Sequence, residues 1–146
     1  MKVWVVGASN VDIIARSKEA VIAADSNVGT VDRAPGGVGR NIASALKALG
    51  FDVTFVTAIA DDEYGNLIRK DLERRGVRLF AAPVADSGLH TGAYCCIMDG
   101  DGSLVCAVND MGITENLNPE VIATYKDSLE QADYVVFDDN LPKETI

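Results

Sequence analysis

Apolar and polar positions along this chain change their period several times, and each change marks an element. Residues 2–7 form a short Val-rich run ended by Gly7, which predicts a buried strand. Residues 11–15 are a second, mostly apolar run. Residues 16–19 are polar, 20–24 apolar again, and 25–27 read as a turn. Residues 30–34 fit another short strand before Pro35, Gly36 and Gly37 break the chain. From Val38 the period becomes helical, with Ile42, Ala45, Leu46 and Leu49 on one face and Gly50 as a C′ stop. Residues 53–59 predict the next strand. Asp61 or Asp62 caps a helix running to Arg75, with Tyr64, Leu67, Ile68 and Leu72 facing the core and Gly76 ending it. Residues 77–82 predict a third core strand, closed by Pro83.

The pattern then shifts. Residues 92–98 and 104–108 are strand-like runs joined by Asp99-Gly100-Asp101-Gly102, a hairpin signal. A calcium loop counted from Asp99 would need Gly at its sixth position and Glu at its twelfth; Leu104 and Asp110 stand there instead. Pro119 opens a helix that continues towards Ala132, residues 134–137 predict a fourth core strand, and another helix starts after Pro142. Strands alternating with helices predict an α/β fold, a parallel sheet covered by helices. The excursions at about 11–34 and 91–109 break that alternation and read as a small separate β element on the same domain.

Composition narrows the function classes. The 146 residues, 48% of them hydrophobic, make one domain or part of one, with enough apolar matter for a core. A net charge of −9 argues against nucleic acid as a partner, because phosphate binding needs clustered Lys and Arg. No apolar run is long enough to span a bilayer and no basic amphipathic stretch suits a membrane surface, so a cytoplasmic protein without membrane partners is expected. Cys95, Cys96 and Cys106 lie in apolar runs without metal-ligand spacing and are expected to be buried thiols. His90 has no companion at ligand spacing, so no metal site is expected.

Gly36-Gly37-Val38-Gly39 opens directly onto a helix, where the backbone can approach a ligand and the first N–H groups lack helical partners. The run is not a Walker A loop, since no Gly-Lys-Ser/Thr follows, and no core strand leads into it as a dinucleotide fingerprint requires. On the glycines alone, a tight turn explains the run as well as a ligand cradle does. Arg40 and Asn41 add polar groups in the first helical turn, and Asn10 and Asp12 stand at the expected carboxyl end of the first strand, where open α/β sheets place ligands. Amides and carboxylates in an apolar cleft suit sugar hydroxyls.

Three stretches in order carry a resemblance. Gly7-Ala8-Ser9-Asn10-Val11-Asp12, Pro35-Gly36-Gly37-Val38-Gly39-Arg40-Asn41-Ile42-Ala43 and Asp61-Asp62-Glu63-Tyr64-Gly65 resemble the opening strand, the first signature and the Gly-Asp-Asp turn of the ribokinase-like (PfkB) carbohydrate kinases. Ala60 replaces the usual Gly of the third. The resemblance implies a ribokinase-like parallel sheet whose excursion strands form a β lid over the sugar and contribute to a homodimer. It implies that Asn10, Asp12, Gly36, Gly37 and Asn41 bind sugar hydroxyls and that Asn140 lies near the phosphates and metal. Residues 24–29, Arg40 and residues 108–111 resemble the pseudouridine-kinase branch, which would put Asn27, Arg40, Thr91 and Asn109 near a nucleoside. The family transfers a phosphoryl group from ATP, with Mg²⁺, to a sugar hydroxyl.

The family's second signature, a Gly-Ala-Gly-Asp run carrying the catalytic Asp and an anion hole, does not occur in this sequence. The chain therefore reads as the N-terminal part of such an enzyme, with the C-terminal part of the fold absent, no catalytic residue of its own, no tight binding of ATP or Mg²⁺, and little or no activity alone. Two other readings stay open: a non-catalytic sugar-binding or dimerising module, and an oxidoreductase Rossmann domain.

Overall fold

The computed structural model describes residues 1–84 and 88–146. Strand β1 (Lys2–Val6) is buried on both faces, which is why its sequence is a continuous apolar run and not an alternating one. It sits inside a parallel four-stranded sheet of order β5-β4-β1-β8, with β4 (Asp52–Thr57), β5 (Arg78–Ala81) and β8 (Tyr134–Phe137). Val3 and Val5 join Phe55, Ile68 and Leu72 in one core layer, with α1 (Val38–Ala48) and α2 (Glu63–Arg75) packed over it. Trp4 and Val6 point the other way, into a layer with Ile113, Leu117, Ile122 and Leu141 that involves α3 (Pro119–Ala123) and α4 (Lys126–Glu130). Each fully buried side chain of this size stabilises the fold by about 1.5–3 kcal/mol. Helix α2 begins and ends as its sequence predicts: the Asp62 carboxylate accepts the Gly65 N–H, and Gly76 closes it with a left-handed φ of 72°.

The excursions make a second sheet of order β3-β2-β6-β7. Strands β2 (Asn10–Ser17) and β6 (Ala93–Met98) run parallel at its centre; β3 (Gly29–Gly36) and β7 (Leu104–Asp110) pair antiparallel at its edges. Val11 and Ile13 anchor this sheet to the core layer that holds Phe55.

Several expectations are corrected. Asn10 and Asp12 do not end the first strand; the chain crosses to the second sheet through residues 7–9, and both residues belong to β2. Pro35 does not break the chain before the glycines but lies inside β3 opposite Val11, which an edge strand tolerates because no ladder donor is needed on its outer side. The helix from Pro119 is not continuous to Ala132. It divides around Thr124, whose hydroxyl donates to the Val121 carbonyl at 2.6 Å, and Tyr125, whose ring lies 6.3 Å from Trp4 and 5.8 Å from Phe80. After Pro142 only a single 3-10 turn forms, Lys143–Thr145. Of the three thiols only Cys96 is buried. Cys95 and Cys106 are exposed, because β7 is open to solvent along its length and Cys95 faces outward beside it. Among the described residues no helix is long and apolar enough to cross a membrane, and no three His, Cys, Asp or Glu side chains are grouped to share an ion.

Candidate functional site

A cleft of about 510 Å³ opens where the second sheet meets the first turn of α1 and the end of β8. Asn10 and Asp12 from β2, Gly37 and Asn41 from the start of α1, Asn109 from β7 and Asn140 after β8 all line it. The cleft thus gathers six residues singled out in the sequence. Asn10 Nδ2 donates to Asp12 Oδ1 at 2.7 Å, which fixes both groups. Gly36 stands behind Asp12: a Cβ there would lie 2.2 Å from Asp12 Oδ2. Gly37 caps α1 with φ 95°, and a Cβ on it would lie 2.6 Å from Ser9 Cα, so only glycine lets the strand pass so close to the crossing from β1.

The floor is organised by a residue that the sequence reading missed. Asp138, 2% exposed, accepts the Ala8 and Gly39 N–H groups on Oδ2 at 3.0 and 2.9 Å. Its Oδ1 accepts the Asn140 N–H at 3.0 Å and the Asn140 amide at 2.6 Å. One carboxylate thereby ties together the crossing from β1, the start of α1 and the end of β8. Its only sequence signal is its place directly after the fourth core strand. Met111, from the 108–111 run, also lines the cleft, as do Tyr94, Thr114 and Glu115, which nothing in their local sequence distinguishes.

Three residues lie elsewhere. Arg40 is 7% exposed and points away from the cleft, with Nη2 paired to the Asp71 carboxylate. Asp71, with a side chain 4% exposed, also accepts from Arg74 at 2.7 Å and Arg75 at 2.9 Å. Burial pushes its pKa up, but hydrogen bonds from Arg75, Arg40 and Arg74, with the charge of Arg40, outweigh burial and hold it at about 2. Thr91 is spent on structure: its hydroxyl accepts the Ala60 N–H at 2.9 Å, and its own N–H donates to Asp62 at 2.8 Å. Burial works against ionisation of Asp62 as well, yet the N–H groups of Gly65 and Thr91 bring its pKa below the ordinary value. Asn27 is exposed in the 18–28 loop, accepts the Ile22 N–H at 2.8 Å, and does not reach the cleft.

The helix start is also not the open donor set that its sequence suggests. The Gly39 N–H goes to Asp138 and the Arg40 N–H to the Ala8 carbonyl at 3.3 Å. The lining carries Asp12 and Glu115 and, among the described residues, no Lys or Arg. Such a wall accepts hydrogen bonds from hydroxyls; it does not fit a triphosphate, whose charge needs cations or free N–H groups.

Comparison with known proteins identifies the family and the fold. The pfkB family carbohydrate kinase model matches residues 1–145. Pseudouridine kinase of Escherichia coli (strain K12) is 32% identical over 144 residues, which are 99% of this chain and 46% of that protein. Ribokinase of Bacillus subtilis (strain 168) is 30% identical over 146 residues, 99% of this chain and 48% of that protein. The solved structure of a carbohydrate kinase from Agrobacterium tumefaciens superposes with a TM-score of 0.87 at 27% identity, over 99% of this chain and 47% of that one. The chain spans about half the length of the curated relatives it matches. With its two sheets, its glycine-backed polar cleft and a family match along its whole length, this chain belongs to the pfkB family of carbohydrate kinases.

Proposed function

We propose that this chain supplies the acceptor-binding half of an ATP-dependent kinase that phosphorylates a hydroxyl of a pentose or nucleoside, with pseudouridine as the substrate. The observation that carries this reading is the cleft itself: Asn10, Asp12, Asn41, Asn109 and Asn140 converge on one space, backed by Ala8, Val38 and Met111. A sugar ring presents several hydroxyls, each of which needs a partner on leaving water, beside C–H faces that need apolar contact. Asp12 and the Asn10 carbonyl oxygen accept from hydroxyls. Tyr94 offers an aromatic face and a hydroxyl where a base would extend. Similarity to a pseudouridine kinase and a ribokinase supports both a nucleoside and a free pentose; the 108–111 run, which brings Asn109 and Met111 to the cleft, favours the nucleoside.

ATP and Mg²⁺ belong to the proposed reaction of the whole protein. This chain's cleft has no group suited to the triphosphate, so it binds the acceptor without turning it over, and no transfer step is assigned to its residues. The second sheet acts as a lid and as a homodimer surface, through the exposed Val31, Ile97 and Val108. Sedimentation of a well-behaved monomer at high concentration counts against the dimer.

A thermal-shift panel of pseudouridine, ribose, adenosine, inosine and fructose tests the substrate. A ligand at a hundred times its Kd stabilises by about 2.7 kcal/mol, roughly 6–10 °C for a chain of this size. The largest shift is expected for pseudouridine; a larger shift with ribose moves the reading to ribokinase, and no shift with any of the five sinks it. Phosphorylation by the purified chain with ATP would refute its inactivity.

A further inference from the structure

We propose that Arg40 is a positioning residue that acts through Asn41, fixing which end of the Asn41 amide faces the cleft. The inference rests on reading the cleft as the acceptor site, but its content is separate: it concerns a side chain that does not line the cleft. Residues adjacent in a helix do not ordinarily face each other. Here they touch, because Arg40 is held from behind. Its Nη2 is locked on the buried carboxylate of Asp71, which Arg74 and Arg75 hold in turn, and its Nη1 donates to Asn41 Oδ1 at 2.8 Å.

The chemistry of the two groups settles the amide's orientation. A guanidinium only donates, so the Asn41 atom facing it is the carbonyl oxygen, and Nδ2 is left for the cleft. The same logic runs the other way at two more amides. Asn10 and Asn140 each give Nδ2 to a carboxylate, Asp12 and Asp138, and keep Oδ1 for the ligand. Two of the fixed amides thus keep the oxygen free with one N–H already engaged, and Asn41 is the one whose oxygen is taken and whose NH₂ is left whole, an orientation that Arg40 sets. Asn41 therefore marks the place where the bound molecule offers a lone pair, such as a ring or carbonyl oxygen or the oxygen of a hydroxyl whose proton points elsewhere.

A second observation fits a positional constraint. Arg40 Nε is buried without a partner, as is Ser44 Oγ one turn along. A buried unpaired N–H is unfavourable, and its persistence is expected where other contacts of the same side chain must be kept. The Nη1 and Nη2 contacts are those kept here.

The test is a double-mutant cycle on the 146-residue chain, with pseudouridine affinity measured by isothermal titration. Arg40→Met frees the amide to turn and is expected to weaken binding about tenfold, the size of one hydrogen bond to an oriented donor. Asn41→Ala is expected to weaken binding by a similar factor, and adding Arg40→Met to it should change nothing more. If Arg40→Met weakens binding equally in both backgrounds, Arg40 acts without Asn41 and the inference is overturned. If Arg40→Met does not fold, Arg40→Lys carries the same test: one ammonium keeps the Asp71 ion pair but cannot also fork to Asn41, and wild-type affinity in that variant overturns the inference. The Asn41 side-chain amide resonances, followed by ¹⁵N NMR, should move on Arg40→Lys; resonances that stay put also overturn it. An undiminished affinity in Asn41→Ala refutes the acceptor-site reading itself, a result distinct from a non-additive cycle.

Discussion

Gly36 leaves the Asp12 carboxylate the space it occupies: a Cβ on Gly36 would lie 2.2 Å from Asp12 Oδ2 and 2.5 Å from Cγ. The pairing is diagonal across β2 and β3, since Gly36 is in register with Asn10 and Asp12 with Ala34. Gly36→Ala should therefore swing the carboxylate off its line to the cleft while leaving the sheet intact. Ligand affinity is expected to fall at least about tenfold, because hydrogen bonds to a charged group are among the stronger ones. The melting temperature should move by only a few degrees. Unchanged affinity in a titration would show that Asp12 does not hold the ligand.

Asp71 gives a pH dependence with a definite sign. Its pKa is about 2 in the folded chain against an ordinary 3.8, so its contribution is fully present above pH 4–5 and is lost as pH falls towards 2. Asp71→Asn should destabilise the chain by about 2 kcal/mol at pH 7. Urea unfolding of both proteins at pH 7, 5, 4 and 3 should give a constant gap down to about pH 5 that narrows below it. A gap that stays constant to pH 3 would mean the three arginines do not hold the carboxylate.

Asp138→Ala removes the acceptor for three backbone N–H groups and for the Asn140 amide. The expected loss is at least about 3 kcal/mol in urea unfolding, with a parallel loss of ligand binding. Asp138→Asn keeps an acceptor at one oxygen and should lose less. Equal stability of the alanine variant and the parent would remove Asp138 from the centre of the site.

The thiols are separable by reactivity. Cys95 and Cys106 are exposed and Cys96 is buried, so a disulfide-exchange reagent should titrate two thiols in the native chain and the third only on unfolding. Three fast thiols contradict the described second sheet, while fewer than two fit the proposed dimer, since Cys95 and Cys106 share a sheet face with Val108 and Ile97.

The elements that were legible are those whose signal is local. The two-sided apolar run of β1, the Asp62 cap and the Gly76 stop depend on neighbours within a few residues, and they stand as the pattern implies. The main errors have distant causes. Arg40 reads as a ligand residue because it sits beside Asn41 and Gly37, yet Asp71, 31 positions on, decides where it goes. Cys95 and Cys106 sit among Val, Ile and Leu and read as core, but apolar neighbours in sequence do not bury a strand that nothing covers. The helix after Pro119 looks continuous until Tyr125 meets Trp4 and Phe80 from the far side of the sheet. Of the cleft, the sequence shows the glycines and four asparagines but not Glu115, which a 3-10 turn carries into place.

The carboxylate of Asp138 has a further implication, for the order in which the molecule is made. Its partners Ala8 and Gly39 stand 130 and 99 positions earlier in the chain. The loops that must close to bring them together are among the longest this chain can form, and such closures come late because their entropy is spent before any contact rewards it. On a ribosome, the glycines and Asn41 emerge long before the residue that secures them. The floor of the cleft is thus completed only when Asp138 closes on Ala8 and Gly39, and not by the first forty residues alone.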